Sequence, residues 1–370
     1  MRIGFVTSVA SKRLGGIQNT SYYFAEYFPK EVEMELFCSS ESETEGLDCD
    51  ISKTNCRSNE TVKFHFQLLK HIFGSNRKKA FSFTFAALYP CALECYLLKK
   101  MKGIPYGVMM HGNELMDGAA PKSLFQNIKN KARFAVRKRV LDNADVLFAN
   151  SEYTKGVCRS KTSNKNIQVI HPPIKFEKKT IDSSKFNYNI FSLGRLEKRK
   201  GFQYGVRAMA ELVKEYPNLT YTIAGSGPYE SKLKKLIDEN QLQDCVKLLG
   251  RISEEEKEEC YKNCDFFLMP SFIVKEESSV EGFGIVFIEA NMYGKYVIAT
   301  RTGGIQDAVR EGITGEFVEC RDTGSIVRVI KKLYSTPNLY DPLECVKWSK
   351  RMDISHIVNQ YIYYIRKCIG

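Results

Sequence analysis

Short apolar runs alternate with helix-length amphipathic stretches along both halves of the chain, and this alternation constrains the fold more than any other feature. Such a pattern builds parallel sheets covered by helices. In the first half Ile3–Thr7, Tyr106–Met110 and Val146–Ala149 read as buried strands, and Gly15-Gly16 separates the first of them from a helix over Gln18–Phe28. The second half restarts at Ile190–Leu193 and continues through Thr220–Ala224, Val246–Leu249, Phe266–Met269, Val297–Ala299 and Glu316–Val318. Ser253 and Glu256 are spaced as a capping box ahead of a helix reaching about Asn263. At 370 residues the chain is long enough for two such domains. The predicted division is a first domain over 1–175, a polar linker over 176–188, a second domain over 189–355 and a C-terminal helix over 356–370. Functional residues of an α/β fold of this kind belong in loops at the carboxyl ends of the strands, facing the cleft between the domains.

Residues 81–98 imitate a membrane span, since basic residues flank a largely apolar stretch. A span needs roughly 20 predominantly apolar residues, and this one holds Ser82, Thr84, Pro90 and Glu94. Phe81, Phe83 and Phe85 alternate as in a strand, whereas Leu93, Leu97 and Leu98 fit a helix face, so a strand, a turn at Tyr89-Pro90 and a helix are expected. Twelve cysteines are too few for a disulfide scaffold, and none has metal-ligand spacing, so reduced, mostly buried thiols are predicted. The opening Met1-Arg2-Ile3-Gly4-Phe5 lacks the long apolar region of a signal peptide. Together these features point to a cytoplasmic location.

Charge is unevenly placed. Residues 1–175 hold 26 Lys and Arg against 16 Asp and Glu, a net of +10, while 176–370 hold 29 against 27, a net of +2. The densest part is Lys122–Arg139, with seven basic residues, no acid, and Leu124, Ile128, Ala132 and Ala135 at helical spacing. That pattern suits a basic amphipathic helix lying on an anionic membrane surface, peripheral to the membrane's inner face. It equally suits a solvated helix with one core face. No nucleic-acid-binding module is present, and nucleic acid is not expected as a partner.

The strongest local signal is Glu281-Gly282-Phe283-Gly284-Ile285-Val286-Phe287-Ile288-Glu289. From Gly284 it reads as the first turns of a helix with backbone amides open to a ligand. Glu281 and Glu289, eight positions apart, are expected on roughly one face, where carboxylates could accept from sugar hydroxyls. An acidic helix start stabilised by the macrodipole explains the same residues. A second signal is Gly194-Arg195-Leu196-Glu197-Lys198-Arg199-Lys200-Gly201, directly after a strand. Arg195 as a fork and Lys200 as a point charge could meet a diphosphate, although a basic surface turn is the ordinary account. Gly15-Gly16, Gly225-Ser226-Gly227 and His111 at a strand end are weaker signals. Gly-x-Ser-x-Gly and Gly-Lys-Ser/Thr motifs are absent from the sequence.

In order along the chain, Gly15-Gly16-Ile17-Gln18, His111-Gly112, Asn150-Ser151, His171-Pro172-Pro173, Gly194-Arg195 to Lys200-Gly201, Ala224 to Pro228, Met269-Pro270-Ser271, the paired glutamates, Gly303-Gly304 and Gly312-Ile313-Thr314-Gly315 resemble glycosyltransferase family 4. The resemblance covers about residues 1–320. It implies the GT-B fold, two Rossmann-like domains facing a central cleft, with the last helix returning to the first domain. It also implies a retaining hexosyl transfer from a UDP- or GDP-linked sugar to a glycan acceptor, with no metal or other cofactor required. By the same resemblance Gly15 and the Gly16 amide, Arg195 and Lys200 would hold the donor diphosphate, Glu289 the ribose, and Arg251-Ile252 would border the base. Glu281 and the amides from Phe283 through Gly284 and Ile285 to Val286 would hold the transferred sugar, contacted also by His111.

The chain departs from the family where Gly294-Lys295-Tyr296-Val297 replaces the common Gly-x-Pro-Val, and where Ile273–Val280 is long. The longer insertion resembles the branch with lipid-directed mannosyltransferases, which favours a mannosyl-type donor, and the basic first domain suits an acceptor carried on a membrane lipid, as in cell-surface polysaccharide assembly. Two other readings share the fold: a sugar-nucleotide epimerase, and a catalytically silent glycan-binding partner subunit. The Gly194-Arg195 to Lys200-Gly201 turn ahead of the paired glutamates argues for transfer over the epimerase, and the intact Arg195, Lys200, Glu281 and Glu289 argue against the silent subunit.

Overall fold

The computed structural model describes the whole chain except residues 12–15, 117–123, 182–185, 275–278 and 337–338. It divides into two units, Met1–Lys175 with Asp353–Gly370, and Phe176–Met352.

Seven strands form the first unit's sheet: β1 (Arg2–Val6), β2 (Glu33–Cys38), β3 (Asp50–Lys53), β4 (Phe83–Ala86), β5 (Tyr106–Met110), β6 (Val146–Ala149) and β7 (Ile167–Val169). Their order is β3-β2-β1-β4-β5-β6-β7, with every neighbouring pair parallel. The order reverses between β1 and β4, the place where such sheets open a crevice at their carboxyl edge. The helices α1 (Gly16–Glu26), α2 (Thr61–Lys78), α3 (Ala92–Lys102), α4 (Leu124–Asp142) and α5 (Glu152–Lys161) connect the strands. Phe64, Leu68 and Ile72 of α2, Leu98 of α3, Val140 and Leu141 of α4 and Cys158 of α5 share one core. Residues 81–98 resolve into β4, a 3-10 turn at Tyr89–Cys91 and α3, as their changing period predicts. Among the described residues no helix is long and apolar enough to cross a membrane.

A different core contains α1 and the last helix, α13 (Ile354–Ile369), which begins two residues before the predicted start. Its Ile357, Tyr361 and Ile365 are buried with Phe5, Phe24, Phe85 and Phe148. The Tyr361 ring lies 5.2 Å from Phe24, 5.4 Å from Phe85 and 4.8 Å from Phe148, at angles from tilted to edge-on, the arrangements that aromatic quadrupoles favour. The last helix is thus part of the first unit's interior, not a tail.

The second unit repeats the plan with β8 (Asn189–Leu193), β9 (Thr220–Ala224), β10 (Val246–Gly250), β11 (Phe266–Met269), β12 (Tyr296–Thr300) and β13 (Gly315–Val318). The parallel order is β10-β9-β8-β11-β12-β13, reversing between β8 and β11. Its helices are α6 (Phe202–Leu212), α7 (Glu230–Glu239), α8 (Glu254–Asn263), α9 (Ile285–Met292), α10 (Ile305–Ala308), α11 (Thr323–Ser335) and α12 (Pro342–Lys350). The predicted capping box is present: Ser253 accepts from the Glu256 amide and Glu256 from the Ser253 amide.

The described residues of the 176–188 stretch pack on this unit. Lys179 bridges Glu177 and Glu258 at 2.9 and 3.1 Å, Phe186 stacks edge-on against Tyr334, and the Asn187 amide donates to Asp265. All twelve cysteines are unpaired and most are buried, as expected of reduced thiols.

Removing the Tyr361 ring leaves a cavity among three other aromatic rings. Tyr361→Ala should lower the first unit's stability by about 3–5 kcal/mol. In a urea titration followed by domain-specific fluorescence or hydrogen exchange, the first unit's transition should move down while the second's stays in place. An unshifted first transition would contradict this packing.

Candidate active site

The turn after β8 carries four basic residues, Arg195, Lys198, Arg199 and Lys200, and backbone bonds fix its path. The Leu196 amide donates to the Ser226 carbonyl, the Tyr229 amide to the Leu196 carbonyl, and the Phe272 amide to the Arg199 carbonyl, at 3.0, 2.9 and 2.8 Å. The turn is therefore stitched to the loops leaving both β9 and β11. Gly201 ends it with φ +78°, and a Cβ there would lie 2.1 Å from the Pro270 carbonyl oxygen. Only glycine combines that left-handed backbone with so close an approach.

Within this frame Glu281 gathers cations. It lies in the connection from β11 to α9, and its backbone carbonyl accepts from the Gly304 amide at 2.9 Å. One carboxylate oxygen receives the Lys200 Nζ at 2.6 Å and the Arg199 guanidinium at 2.9 Å. The Arg199 Nε donates to Glu197 at 3.0 Å, and Glu197 also pairs with the Arg195 Nε at 3.2 Å. The five charges form one chain, Arg195–Glu197–Arg199–Glu281–Lys200. The Arg199, Lys200 and Glu281 side chains are 13%, 10% and 15% exposed, whereas that of Arg195 is 72% exposed. Burial pushes the Glu281 carboxyl up, but Lys200 and then Arg199 outweigh it and hold the group down at about 2. Sequence reasoning assigned roles to Arg195, Lys200 and Glu281 but not to Arg199, whose pairing with Glu281 across 82 positions leaves no local pattern.

Glu281 and Glu289 do not share a helix face, contrary to the expectation from their spacing. Gly284, at φ +95°, is the N-cap of α9, so Glu281 precedes the helix and the count of eight spans a loop and a helix. Glu289 points instead to α8, where it accepts from the Tyr261 hydroxyl at 3.1 Å and lies 3.6 Å from the Lys257 Nζ. Gly284 is followed by Ile285 and Val286 in the first helical turn, whose amides have no carbonyl within the helix to pair with. Phe283 beside them is buried. After β10, the Arg251 Nε donates to the Ser226 hydroxyl at 3.0 Å, which ties it and Ile252 to the Gly225-Ser226-Gly227 loop.

In the first unit, His111 follows β5 and its Nε2 donates to the Ala87 carbonyl at 2.8 Å, just beyond β4. A carbonyl only accepts, so Nε2 is the donor in that bond, and Nδ1 is the ring's other polar atom. The Asn150 amide, just beyond β6, donates to the His111 carbonyl at 3.3 Å. Gly16 is the exposed first residue of α1; Gly15 lies outside the described residues. The sequence's one Asp-x-Asp triplet, Asp48-Cys49-Asp50, lies at the opposite, amino-terminal end of β3, with Asp48 paired to Lys30 at 2.8 Å. Among the described residues no three His, Cys, Asp or Glu side chains group as metal ligands.

The basic stretch folds as α4, with Lys122 outside the described residues. The side chain of Leu124 lies outside the described residues, and the rest of the apolar stripe does not enter the core. Ile128 and Val136 are 59% and 47% exposed, and Ala132 and Ala135 are exposed with them. The inward positions are Asn127, Asn130, Phe134 and the buried Arg137, whose guanidinium lies 4.9 Å over the Phe134 ring.

The ion cluster predicts an acid limb in stability. A carboxyl near 2 in the folded chain, against 4.5 ordinarily, stabilises the fold above pH 4.5, and that contribution is lost as pH falls from about 4.5 to 2. Its size is up to about 3 kcal/mol. Urea unfolding across this window should show a steeper loss for the wild type than for Glu281→Gln; parallel profiles would contradict the assignment.

Two family models cover the chain almost end to end. Residues 14–178 match the model described as Glycosyltransferase Family 4, and residues 174–347 match that of glycosyl transferases group 1. A GDP-mannose-dependent alpha-(1-6)-phosphatidylinositol monomannoside mannosyltransferase of Mycolicibacterium smegmatis is 32% identical over 148 residues, 40% of this chain and 39% of that protein. The amylovoran biosynthesis glycosyltransferase AmsK of Erwinia amylovora is 29% identical over 161 residues, 44% of this chain and 39% of that protein. The chain thus spans 39% of the length of each of these relatives. Among solved structures, Anabaena Alr3699/HepE in complex with UDP superposes with a TM-score of 0.78 at 17% identity, over 99% of this chain and all of that one. Two parallel-sheet Rossmann-like units, a charged turn at the second sheet's reversal point and these matches lead to one assignment: the chain belongs to glycosyltransferase family 4 and has the GT-B fold.

Proposed function

We propose that the chain is a retaining hexosyltransferase that moves a sugar from a UDP- or GDP-linked donor to a lipid-linked glycan acceptor during cell-surface polysaccharide assembly. The observation that carries this reading is the convergence of Arg195, Lys200 and Glu281 at the carboxyl edge of the second sheet, where β8 meets β11. A nucleotide-sugar donor gains negative charge on its diphosphate as the glycosidic bond breaks, and fixed cations stabilise that charge. Arg195, exposed and paired with Glu197, can reach the diphosphate as a fork, and Lys200 supplies a point charge. With both cations in place no metal is needed to balance the leaving group.

The remaining residues take the donor's other parts. Glu289 accepts from the ribose hydroxyls and Arg251 and Ile252 border the base. The first-turn amides from Phe283 to Val286 with Glu281 hold the sugar. His111 presents its Nδ1 to a sugar hydroxyl, and the Gly16 amide meets the diphosphate. The acceptor attacks from the face the leaving group departs, and the departing phosphate takes its proton, so the sugar's configuration is retained.

Two relatives support the acceptor class by their names: one acts on a phosphatidylinositol monomannoside and another belongs to amylovoran biosynthesis. The outward apolar stripe of α4 between basic residues supports docking on an anionic membrane surface.

A thermal-shift panel of nucleotides and nucleotide sugars tests the donor site. The melting temperature should rise with members of the UDP or the GDP series. Arg195→Ala and Lys200→Ala should keep the fold and lower kcat about 100- to 1,000-fold; turnover near wild type in either would sink the leaving-group role.

Vesicle sedimentation tests the surface. Binding should require anionic lipid, weaken with salt, and drop on Lys129→Glu/Lys131→Glu/Arg133→Glu. Equal binding to neutral and anionic vesicles would reject the electrostatic part.

A further inference from the structure

We infer that Arg199 is the positioning counter-ion that stays with Glu281 when Lys200 leaves it for the donor's diphosphate. The inference rests on the proposed donor site. Lys200 and Glu281 cannot both serve a donor in the arrangement seen, because the Lys200 Nζ is 2.6 Å from the Glu281 carboxylate. For Lys200 to reach a phosphate oxygen, that contact must lengthen or be shared. A carboxylate only 15% exposed that lost its sole cation would be left as an unpaired buried charge, which is strongly unfavourable. Glu281 has a second cation, and the geometry distinguishes which of the two can move.

Arg199 is pinned on three sides. Its guanidinium donates to Glu281 through one terminal nitrogen at 2.9 Å and to Glu197 through Nε at 3.0 Å, so two carboxylates fix the plane of the fork. Its backbone carbonyl accepts from the Phe272 amide at 2.8 Å, which ties the residue to the exit of β11. Lys200 is held differently. Apart from Glu281, the contact at its head is the Met269 sulfur at 3.7 Å, a weak acceptor, and its stem rotates about four carbons. A rigid cation therefore stays and a flexible one exchanges. The carboxylate keeps a partner throughout, and it is still ionised and in place when the sugar arrives.

The prediction concerns diphosphate binding and does not depend on turnover. UDP and GDP are titrated against the wild type, Arg199→Gln, Arg199→Lys and the double variant Arg199→Gln/Glu281→Gln, with melting temperature and calorimetry as readouts. In Arg199→Gln, Lys200 becomes the sole partner of Glu281 and is retained by it, so diphosphate affinity should fall at least about tenfold. Arg199→Lys, which keeps the charge, should bind more tightly than Arg199→Gln. The decisive arm is the double variant: once Glu281 is neutral it no longer holds Lys200, and affinity should return to within about threefold of wild type. A merely structural role for Arg199 would not be rescued by a second substitution at the site. If the wild type binds and Arg199→Gln binds equally well, or the double variant stays as weak as the single one, the inference falls and the donor site stands. If the wild type binds neither diphosphate, the donor site falls and the inference with it.

Discussion

Every strand pair in both sheets is parallel, and this imposes the layout of everything else. A parallel strand must be followed by a crossover that carries the chain back to the starting edge, so all strand-to-helix loops leave from the same edge. Reversal of strand order places β8 beside β11, bringing together loops that are far apart in sequence. Lys200 leaves β8 and Glu281 follows β11, 81 positions apart, yet their charged atoms lie 2.6 Å from each other. The same logic in the first unit ties His111, after β5, to Ala87 after β4 and to Asn150 after β6. The sheets supply position, and the loops supply chemistry.

Electrostatics at the second sheet's edge follows from crowding. Placing one carboxylate with little exposure among neutral neighbours would favour its protonated form. Placing it between Lys200 and Arg199 reverses the preference, so the site holds an anion among cations in the absence of any ligand. Glu197 and Glu281 offset Arg199 and Lys200, and Arg195 remains at the exposed end as the chain's excess positive charge. In the proposed donor site a diphosphate would meet Arg195 at this exposed end, and Arg199 would keep Glu281 paired while Lys200 turns to the phosphate.

The strands that were plain in the sequence are those buried on both faces. Tyr106–Met110, Val146–Ala149 and Phe266–Met269 match the observed β5, β6 and β11 residue for residue, because a fully covered parallel strand is an unbroken apolar run. Thr220–Ala224 matches β9 by alternation instead, with Tyr221 and Ile223 buried and Thr220 and Thr222 half-buried. The strands that escaped notice break that rule for physical reasons. β2 carries Glu33 and Glu35, and Glu35 is buried because Arg2, from the neighbouring β1, reaches it at 2.6 Å. β3 and β7 are sheet edges, one polar and the other three residues long. Charge pairing across a sheet is a tertiary fact, and it hides a buried strand for the same reason that it hides Arg199. The candidate site was legible as a set of residue types at strand ends, but not as a network. Spacing alone placed Glu281 and Glu289 on one face, and the left-handed backbone at Gly284 separates them.

The α4 helix shows the same limit from the other side. Apolar residues three or four apart on a helix predict a face that avoids water, and they do not say what covers it. In α4 the core is reached by Val140 and Leu141 at the carboxyl end, while Ile128, Ala132 and Ala135 face outward and Arg137 is turned inward. Burying a guanidinium while exposing an isoleucine is the reverse of what the hydrophobic effect selects in a helix solvated only by water. The Arg137 charge is offset locally, by a bond to the Glu114 carbonyl at 3.0 Å and by the Phe134 ring. Among the described residues the outward stripe has no such compensation within its own unit. Lys129, Lys131, Arg133, Lys138 and Arg139 surround it with cations whose long stems can lie along an apolar surface while their heads meet anions. The membrane docking proposed for this helix would satisfy both sets at once, since a lipid headgroup layer is apolar below and anionic at its rim.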